Sequence, residues 1–191
     1  MPLMEKIKAF NESDNPWVGL LRDLLFVLVV VAVFASVSHI VLGLWSPMVA
    51  VKSESMVPHL QIGDLIFVEG IDRTTVITYE EGERNGYTSF GEYGDVILYK
   101  RFGNEGTTPI IHRAMYYVEK GETMWQNGPT APYAGYITKG DNVRTNPSYD
   151  QQGDISYLQP VKKEWIIGVA RFYRIPFAGY VSLIPRMILG T

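Results

Sequence analysis

One long apolar stretch dominates the hydropathy pattern of the chain. Residues 24–45 read LLFVLVVVAVFASVSHIVLGLW, with no charged side chain apart from the titratable His39. At about 1.5 Å per residue a helix of this length spans roughly 33 Å, enough to cross the hydrocarbon core of a bilayer. A cleaved secretory signal has a shorter apolar core, of about 7–15 residues. We therefore expect a permanent transmembrane anchor over residues 23–45.

The charges on either side of this stretch predict its orientation. Three cations precede it, Lys6, Lys8 and Arg22, whereas Lys52 alone follows it closely. Lysine and arginine are more frequent on the cytoplasmic side of a span. We therefore expect residues 1–22 to lie in the cytoplasm and the chain beyond the anchor to lie outside it.

Beyond the anchor the apolar runs become short and are separated by turn residues, a pattern typical of β-strands. The runs lie at residues 49–52, 65–68, 96–99, 109–118, 136–138 and 165–170. Two of them follow the same Gly-Asp turn, at Gly63 and Gly94. Many short strands with little helical periodicity indicate a mainly β fold, with an antiparallel, barrel-like domain over residues 46–175.

Two segments depart from this strand pattern. Residues 71–92 are rich in threonine, glutamate, glycine and tyrosine, which predicts a hairpin or a surface excursion. The apolar tail at residues 176–191 is interrupted by Pro176, Pro185 and Arg186, and it is short for a second membrane span. We expect this tail to pack on the domain or to rest on the membrane.

The composition narrows the possible chemistry. A net charge of -3 without a basic cluster argues against a nucleic-acid partner. The absence of cysteine excludes disulfides, a thiolate nucleophile and a cysteine metal site. The three histidines are too dispersed to predict a zinc site, and no cofactor is implied. An enzyme with this composition would rely on an oxygen nucleophile.

The candidate nucleophile lies just beyond the anchor, in Ser53-Glu54-Ser55-Met56-Val57-Pro58-His59-Leu60. In an extended chain Ser53 and Ser55 project to the same side. One hydroxyl can then attack while the other, or a backbone N–H, donates to an oxyanion. The alternative is an ordinary turn in which the serines bond their own backbone.

A serine nucleophile requires a base and usually a carboxylate that orients it. His112 lies within an apolar strand, where an imidazole requires a polar partner, although it could be a satisfied core residue. His59, on the same turn as Ser55, is another candidate base, and a surface or interfacial side chain is the favoured interpretation. The carboxylate candidates are Asp141 and Asp150, which lie among turn residues and could instead bond backbone amides.

Together these segments resemble the type I signal peptidase family. Ser53-Glu54-Ser55-Met56-Val57-Pro58 resembles the family's serine motif, Ser-x-Ser-Met-x-Pro behind a membrane anchor, and residues 63–68 resemble the strand that follows it. Ile110-Ile111-His112-Arg113 resembles the next motif. That motif carries a lysine base in the bacterial branch and a histidine in the archaeal and endoplasmic-reticulum branch, so the resemblance is to the Ser-His branch.

The last motif of the family is similar to Lys139-Gly140-Asp141-Asn142, and Asn146-Pro147-Ser148-Tyr149-Asp150-Gln151 is similar to its archaeal continuation. Residues 143–145 are inserted between the two parts. The resemblance implies a single catalytic domain, with Asp150 and Asp141 as the family aspartates. Which of them orients the histidine stays open.

The resemblance also implies the remaining roles. Ser55 corresponds to the nucleophile and His112 to the general base, while Ser53 and the Ser55 backbone N–H correspond to the oxyanion donors. The apolar residues beside the serine, Met56 and Val57 with Pro58, are expected to contact substrate or lipid. Lys100 ends a strand ahead of the histidine motif and is not expected to be the base.

The implied activity is removal of signal peptides from exported preproteins after small residues. The implied surroundings are the lipid bilayer of the cell membrane and the protein-export channel, and the oligomeric state is left open. Two other interpretations are a membrane-tethered β-domain that only binds partners, and a self-processing serine regulator. The regulators normally use lysine and have no span, so the anchor and His112 argue against that class.

Overall fold

The fold is taken from a computed structural model that describes residues 2–181 and residue 183. Most of the predicted apolar tail, residues 176–191, therefore lies outside the described residues. Two helices begin the chain, α1 (Leu3–Asn11) and α2 (Pro16–Leu42).

Helix α2 begins earlier than the predicted anchor because Asn15 and Pro16 start a helix. The Asn15 side chain accepts a hydrogen bond of 2.9 Å from the Trp17 N–H, and Pro16 occupies the first helical position, where its missing N–H costs nothing. The helix ends at Gly43, whose φ of 75° provides the left-handed cap.

Nearly all the apolar side chains along α2 are exposed. In the part of the chain that the structure describes, α2 is the one helix long and apolar enough to cross a membrane. Its last turns meet the domain, where Ser38 and Leu42 are buried and the His39 ring stacks on Trp45 with the centroids 4.2 Å apart. The helix thus has the length and composition of a membrane span and ends on the surface of the domain.

The domain is a six-stranded antiparallel sheet with the strand order β1-β2-β8-β5-β6-β7. Its strands are β1 (Met48–Ala50), β2 (Leu65–Gly70), β5 (Val96–Tyr99), β6 (Ile110–Val118), β7 (Gly135–Lys139) and β8 (Ile166–Ile175). A small hairpin is formed by β3 (Thr88–Ser89) and β4 (Glu92–Tyr93). The prediction of a mainly β, antiparallel fold is confirmed.

Strand β5 is the centre of the core because both of its faces are covered. Val96 and Leu98 pack into one buried cluster, and Ile97 and Tyr99 pack into another on the opposite face. This alternation explains why the strand reads as a continuous apolar run. Its position between β8 and β6 holds β6, and with it His112, against the core.

The segment at residues 71–92 contains a helix that the composition did not predict, α3 (Tyr79–Asn85). Thr78 accepts a hydrogen bond from the Glu81 N–H, and the Glu81 carboxylate accepts one from the Thr78 N–H. This capping box was present in the sequence as Thr-x-x-Glu. The predicted hairpin follows the helix as β3 and β4.

The two Gly-Asp turns use their aspartates to secure strand β8. Asp95 is fully buried and accepts a hydrogen bond of 2.7 Å from Arg171, while Asp64 accepts one of 3.1 Å from Arg174. Both arginines lie on β8. The repeated turn therefore starts β2 and β5 and also ties each of them to the strand between them.

Candidate active site

The serine motif forms a compact turn behind β1. The Ser53 and Ser55 hydroxyl oxygens lie 3.1 Å apart, as expected for two side chains on the same side of the chain. The Met56 carbonyl accepts hydrogen bonds of 2.9 Å from the His59 and Leu60 N–H groups, which closes the turn. The two serine hydroxyls are thus held side by side, Ser53 exposed and Ser55 half-buried.

The apolar residues of this motif differ in burial. Met56 is fully buried and packs with Leu60 and Val96 in the core, and its contact with substrate stays a prediction. Its apolar side chain holds the serine turn on the core. Val57 is half-buried and Pro58 is exposed, and their contact with substrate stays a prediction.

His112 lies on strand β6 and has the polar partner that its burial requires. Its Nδ1 is 2.7 Å from Asp150 Oδ2, and both side chains are almost completely buried. The Nδ1 atom is therefore committed to the carboxylate. The Nε2 atom is the nitrogen left to exchange a proton with a hydroxyl.

Two hydroxyl groups join His112 on the same oxygen of Asp150. Tyr99 donates across 2.9 Å and Thr138 across 2.6 Å to Asp150 Oδ2. An oxygen that receives three donors acts as a carboxylate acceptor, which assigns the proton to His112 Nδ1. Burial raises the pKa of the Tyr99 hydroxyl well above its usual range, with a further contribution from the Asp150 charge, so Tyr99 remains a donor.

The strand register explains why these groups meet. His112 lies opposite Ile97 on β5, and side chains of opposed residues share a face of the sheet. Tyr99 is two residues farther along that strand, and Thr138 lies opposite Ala114 on β7. The sequence reasoning missed Tyr99 and Thr138 as site residues, although period-two alternation from a correct register would have placed them beside His112.

Asp141 binds a different partner. Arg113, which is almost fully buried, donates from Nε to Asp141 Oδ1 at 2.9 Å and from Nη2 to Asp141 Oδ2 at 2.6 Å. His59 Nδ1 lies 2.7 Å from the same Oδ2 atom. The structure thus pairs Asp150 with His112 and pairs Asp141 with Arg113 and His59.

The two predicted reactive side chains open into one cavity of about 660 Å³. Ser53, Ser55 and His112 contribute its polar wall. The other walls are mostly apolar and come from Met48, Val49, Ala50, Leu98, Pro109, Ile110, Ile111 and Ile155, with Lys52, Thr108 and Leu183 at the same cavity. Since β1 and β6 both line it, the sheet curls enough to bring its first and fifth strands around one space.

Two other candidate groups lie outside this cavity. Lys100 pairs with Glu105 across 2.7 Å, and its hydrogen bond, together with its charge, lowers the pKa of that carboxyl. His59 lines a separate cavity of about 460 Å³ with Arg171 and Arg174. Among the described residues no group of three or more His, Cys, Asp or Glu side chains has the arrangement of a metal site.

Comparison with known proteins finds catalytic subunits of signal peptidase complexes among the relatives. The chain is 31% identical over 144 residues to the signal peptidase complex catalytic subunit sec11 of Talaromyces marneffei, covering 72% of this chain and 64% of that protein. It is 31% identical to the sec11 subunit of Schizosaccharomyces pombe, with 72% and 66% covered, and 30% identical to that of Aspergillus terreus, with 74% and 66% covered. No family model matches the chain.

These comparisons confirm the family resemblance that the motifs predict. The chain spans slightly less than two thirds of the length of these relatives. All three are fungal proteins, so the archaeal assignment stays a prediction.

Proposed function

Since this chain is a homologue of the signal peptidase catalytic subunits, we propose that it is a membrane-bound serine endopeptidase that removes N-terminal signal peptides from exported preproteins after small residues. The observation that carries this proposal is the shared cavity, which Ser55 and His112 line together while Asp150 holds the buried side of the histidine. A nucleophile, a base and a group that orients the base are the parts that serine peptidase chemistry requires.

In the proposed reaction Ser55 Oγ attacks the carbonyl carbon at the cleavage site while His112 Nε2 accepts the hydroxyl proton. The same proton then passes to the leaving amine, which releases the mature protein and leaves an acyl ester on Ser55. Water, deprotonated by His112, hydrolyses the ester. The Asp150 carboxylate stabilises the imidazolium that forms in each step.

The oxyanion of each tetrahedral intermediate requires donors beside Ser55. We assign that role to the Ser55 N–H and the Ser53 hydroxyl, which lies 3.1 Å from the Ser55 hydroxyl. Losing one such donor typically costs roughly 10²–10³ in rate. The mostly apolar walls of the cavity suit small apolar side chains next to the cleavage site.

The proposed anchor would determine where the cavity lies relative to the membrane. Only residues 43–47 separate the end of α2 from β1, and β1 lines the cavity. A membrane span at α2 would thus keep the cavity close to the bilayer surface, where the cleavage site of a signal peptide emerges. We propose a single-pass topology in the cell membrane, with residues 1–22 cytoplasmic, the anchor within residues 23–45 and residues 46–175 outside.

The partners in this proposal are the signal peptides of preproteins, the lipid bilayer and the protein-export channel. The relatives are named as subunits of a signal peptidase complex, which supports work within an assembly. The assignment to the Ser-His branch depends on His112, which occupies the position of the bacterial lysine.

The proposal is tested by incubating the intact chain, in membranes or detergent, with a purified preprotein. The N-terminus of the product is then read by mass spectrometry. We expect a single cut after a small residue, and no cut with Ser55→Ala, which removes only the hydroxyl. If Ser55→Ala cuts as fast as the wild type, the serine is not the nucleophile and the cut uses other chemistry. If the wild type does not cut either, the binding-domain interpretation takes its place.

A further inference from the structure

A second set of contacts holds the nucleophile from the side of the aspartate loop. The Asn142 N–H donates to the Ser55 carbonyl across 2.8 Å, and Asn142 Nδ2 donates to the Glu54 carbonyl across 2.9 Å. Both hydrogen bonds join the loop after β7 to the serine turn. They fix the two peptide groups on either side of the Ser55 Cα, the first of which contains the Ser55 N–H.

The contact between the two segments leaves little space. A Cβ added at Gly140 would lie 2.6 Å from the Ser55 carbonyl oxygen, closer than real Cβ contacts. The backbones of the loop and the turn are thus in direct contact at the nucleophile. A shift of the loop would be transmitted to Ser55.

His59 makes a third connection between the same two segments. It follows Ser55 on the serine turn, and its Nδ1 lies 2.7 Å from Asp141 Oδ2 in the loop. Asp141 is in turn held by two hydrogen bonds from Arg113. The carboxylate thus joins the serine turn to strand β6.

Arg113 is held by several acceptors. Besides Asp141 it donates from Nη1 to the Gly94 carbonyl at 2.7 Å and to the Ser89 carbonyl at 3.0 Å. Its side chain is 1% exposed. His59 therefore binds a carboxylate whose position is set by the core of the domain, and not by the solvent.

We propose that His59 and Asn142 are positioning residues for the nucleophile, and that Asp141 serves this clamp and not the proton transfer. His59 is distinct from the base, because it does not line the cavity of Ser55 and its Nδ1 is committed to Asp141. Its other side faces the cavity that contains Arg171 and Arg174. This inference rests on the proposed peptidase function and assigns residues outside the Ser-His-Asp set to it.

The clamp makes a specific kinetic prediction. The Nδ1–H of His59 can donate to Asp141 while Nε2 takes no part in the contact. Loss of the clamp lets Ser55 move relative to His112, and a misplacement of 1 Å can cost roughly 10²-fold in rate. The loss falls on kcat, whereas KM and the pH at which activity falls are set by other groups.

The experiment compares His59→Ala, His59→Gln and Asn142→Ala with the wild type in the preprotein assay, over a range of pH. We expect His59→Ala to lower kcat about tenfold or more, with little change in KM and with the acid limb of the profile in place. His59→Gln can donate to Asp141 again and should recover most of the rate. Tyr133→Phe is the matched control. It also removes one side-chain hydrogen bond, from Tyr133 to Gln159, but this bond lies away from the cavity of Ser55.

Thermal melting of each variant distinguishes a displaced Ser55 in a folded chain from an unfolded chain. If His59→Ala does not fold, Asn142→Ala carries the test, since it leaves the Arg113 and Asp141 pair intact. Unchanged kcat in these variants would overturn the proposal, and so would a displaced acid limb in His59→Gln, because His59 would then titrate in the reaction. If the wild type itself does not cut and matches Ser55→Ala, the proposed function has failed instead.

Discussion

The imidazole of His112 and the carboxylate of Asp150 share a buried hydrogen bond of 2.7 Å. The bond commits Nδ1 to the carboxylate and leaves Nε2 for the proton transfer of the proposed reaction. The other family aspartate, Asp141, has no contact of this kind with His112 and lies on Arg113. The geometry therefore predicts different consequences for the loss of each carboxylate.

For Asp150 we expect a loss of catalysis with the fold retained. Asp150→Asn keeps the size of the side chain but removes the charge that opposes the imidazolium, and it disturbs the tautomer of His112. A fall in kcat of roughly 10⁴-fold is expected, the size of the same change in a serine protease triad. Circular dichroism should be unchanged. An Asp150→Asn variant with wild-type kcat would remove Asp150 from the mechanism.

For Asp141 we expect the main effect of substitution to be a lower free energy of unfolding. Asp141→Asn leaves the Arg113 guanidinium buried without its anionic partner, and breaking such a buried pair typically costs about 3–5 kcal/mol. Urea unfolding of the purified chain measures this difference. Equal unfolding midpoints for Asp141→Asn and the wild type would show that Asp141 does not support the fold.

Ionisation of the Tyr99 hydroxyl is expected to lower the free energy of unfolding at alkaline pH. Burial raises the pKa of its hydroxyl well above the usual value, whereas the same group ionises near pH 10 in the unfolded chain. Its contribution to stability is therefore complete below about pH 10 and declines as the pH rises toward the raised folded value. Tyr99→Phe should make the decline in unfolding free energy above pH 10 shallower, by up to about 1.4 kcal/mol per pH unit.

Urea unfolding at a series of alkaline pH values measures that slope. A residual slope is expected in Tyr99→Phe, because burial also raises the pKa of Tyr87 and raises that of Tyr133 to about 12. An identical slope in the variant and the wild type would contradict the assignment of Tyr99 as a buried donor to Asp150.

Met56 is expected to act through the core. Truncation of a fully buried methionine typically costs about 2–5 kcal/mol, so Met56→Ala should lower the unfolding midpoint strongly. Val57→Ala, at the neighbouring half-buried position, is the matched comparison and should cost less. If Met56→Ala keeps its stability but accepts a different residue before the cleavage site, the substrate role predicted from the sequence would be supported.

The sequence was sufficient for the order of the motifs and for most strands. Ser55, His112 and Asp150 were proposed as site residues because their neighbours are specific, and their catalytic roles stay a prediction. Strand β5 was predicted because an unbroken apolar run indicates a strand covered on both faces. The division of labour between Asp141 and Asp150 was not predictable, since it depends on the sheet register and on the path of the loop at residues 140–150.

Other features were missed because their sequence signal was ambiguous. In the sequence, Tyr99 looks like one more apolar residue of its strand. Only the pairing of β5 with β6 shows that its hydroxyl reaches the same carboxylate as His112. The sequence around His59 indicates a surface side chain. Only the fold shows that Asp141 lies beside it. Helix α3 was missed although its capping box was present, since the surrounding glycines and threonines favoured a hairpin.

The most direct test of the central claim is the rate of preprotein cleavage by Ser55→Ala, His112→Ala and His112→Lys beside the wild type, each shown to be folded by thermal melting. We predict that both alanine variants lose cleavage, and that the lysine variant reports whether an amine can replace the imidazole in contact with Asp150. Cleavage at the wild-type rate by either folded alanine variant would contradict the claim that Ser55 and His112 carry the reaction.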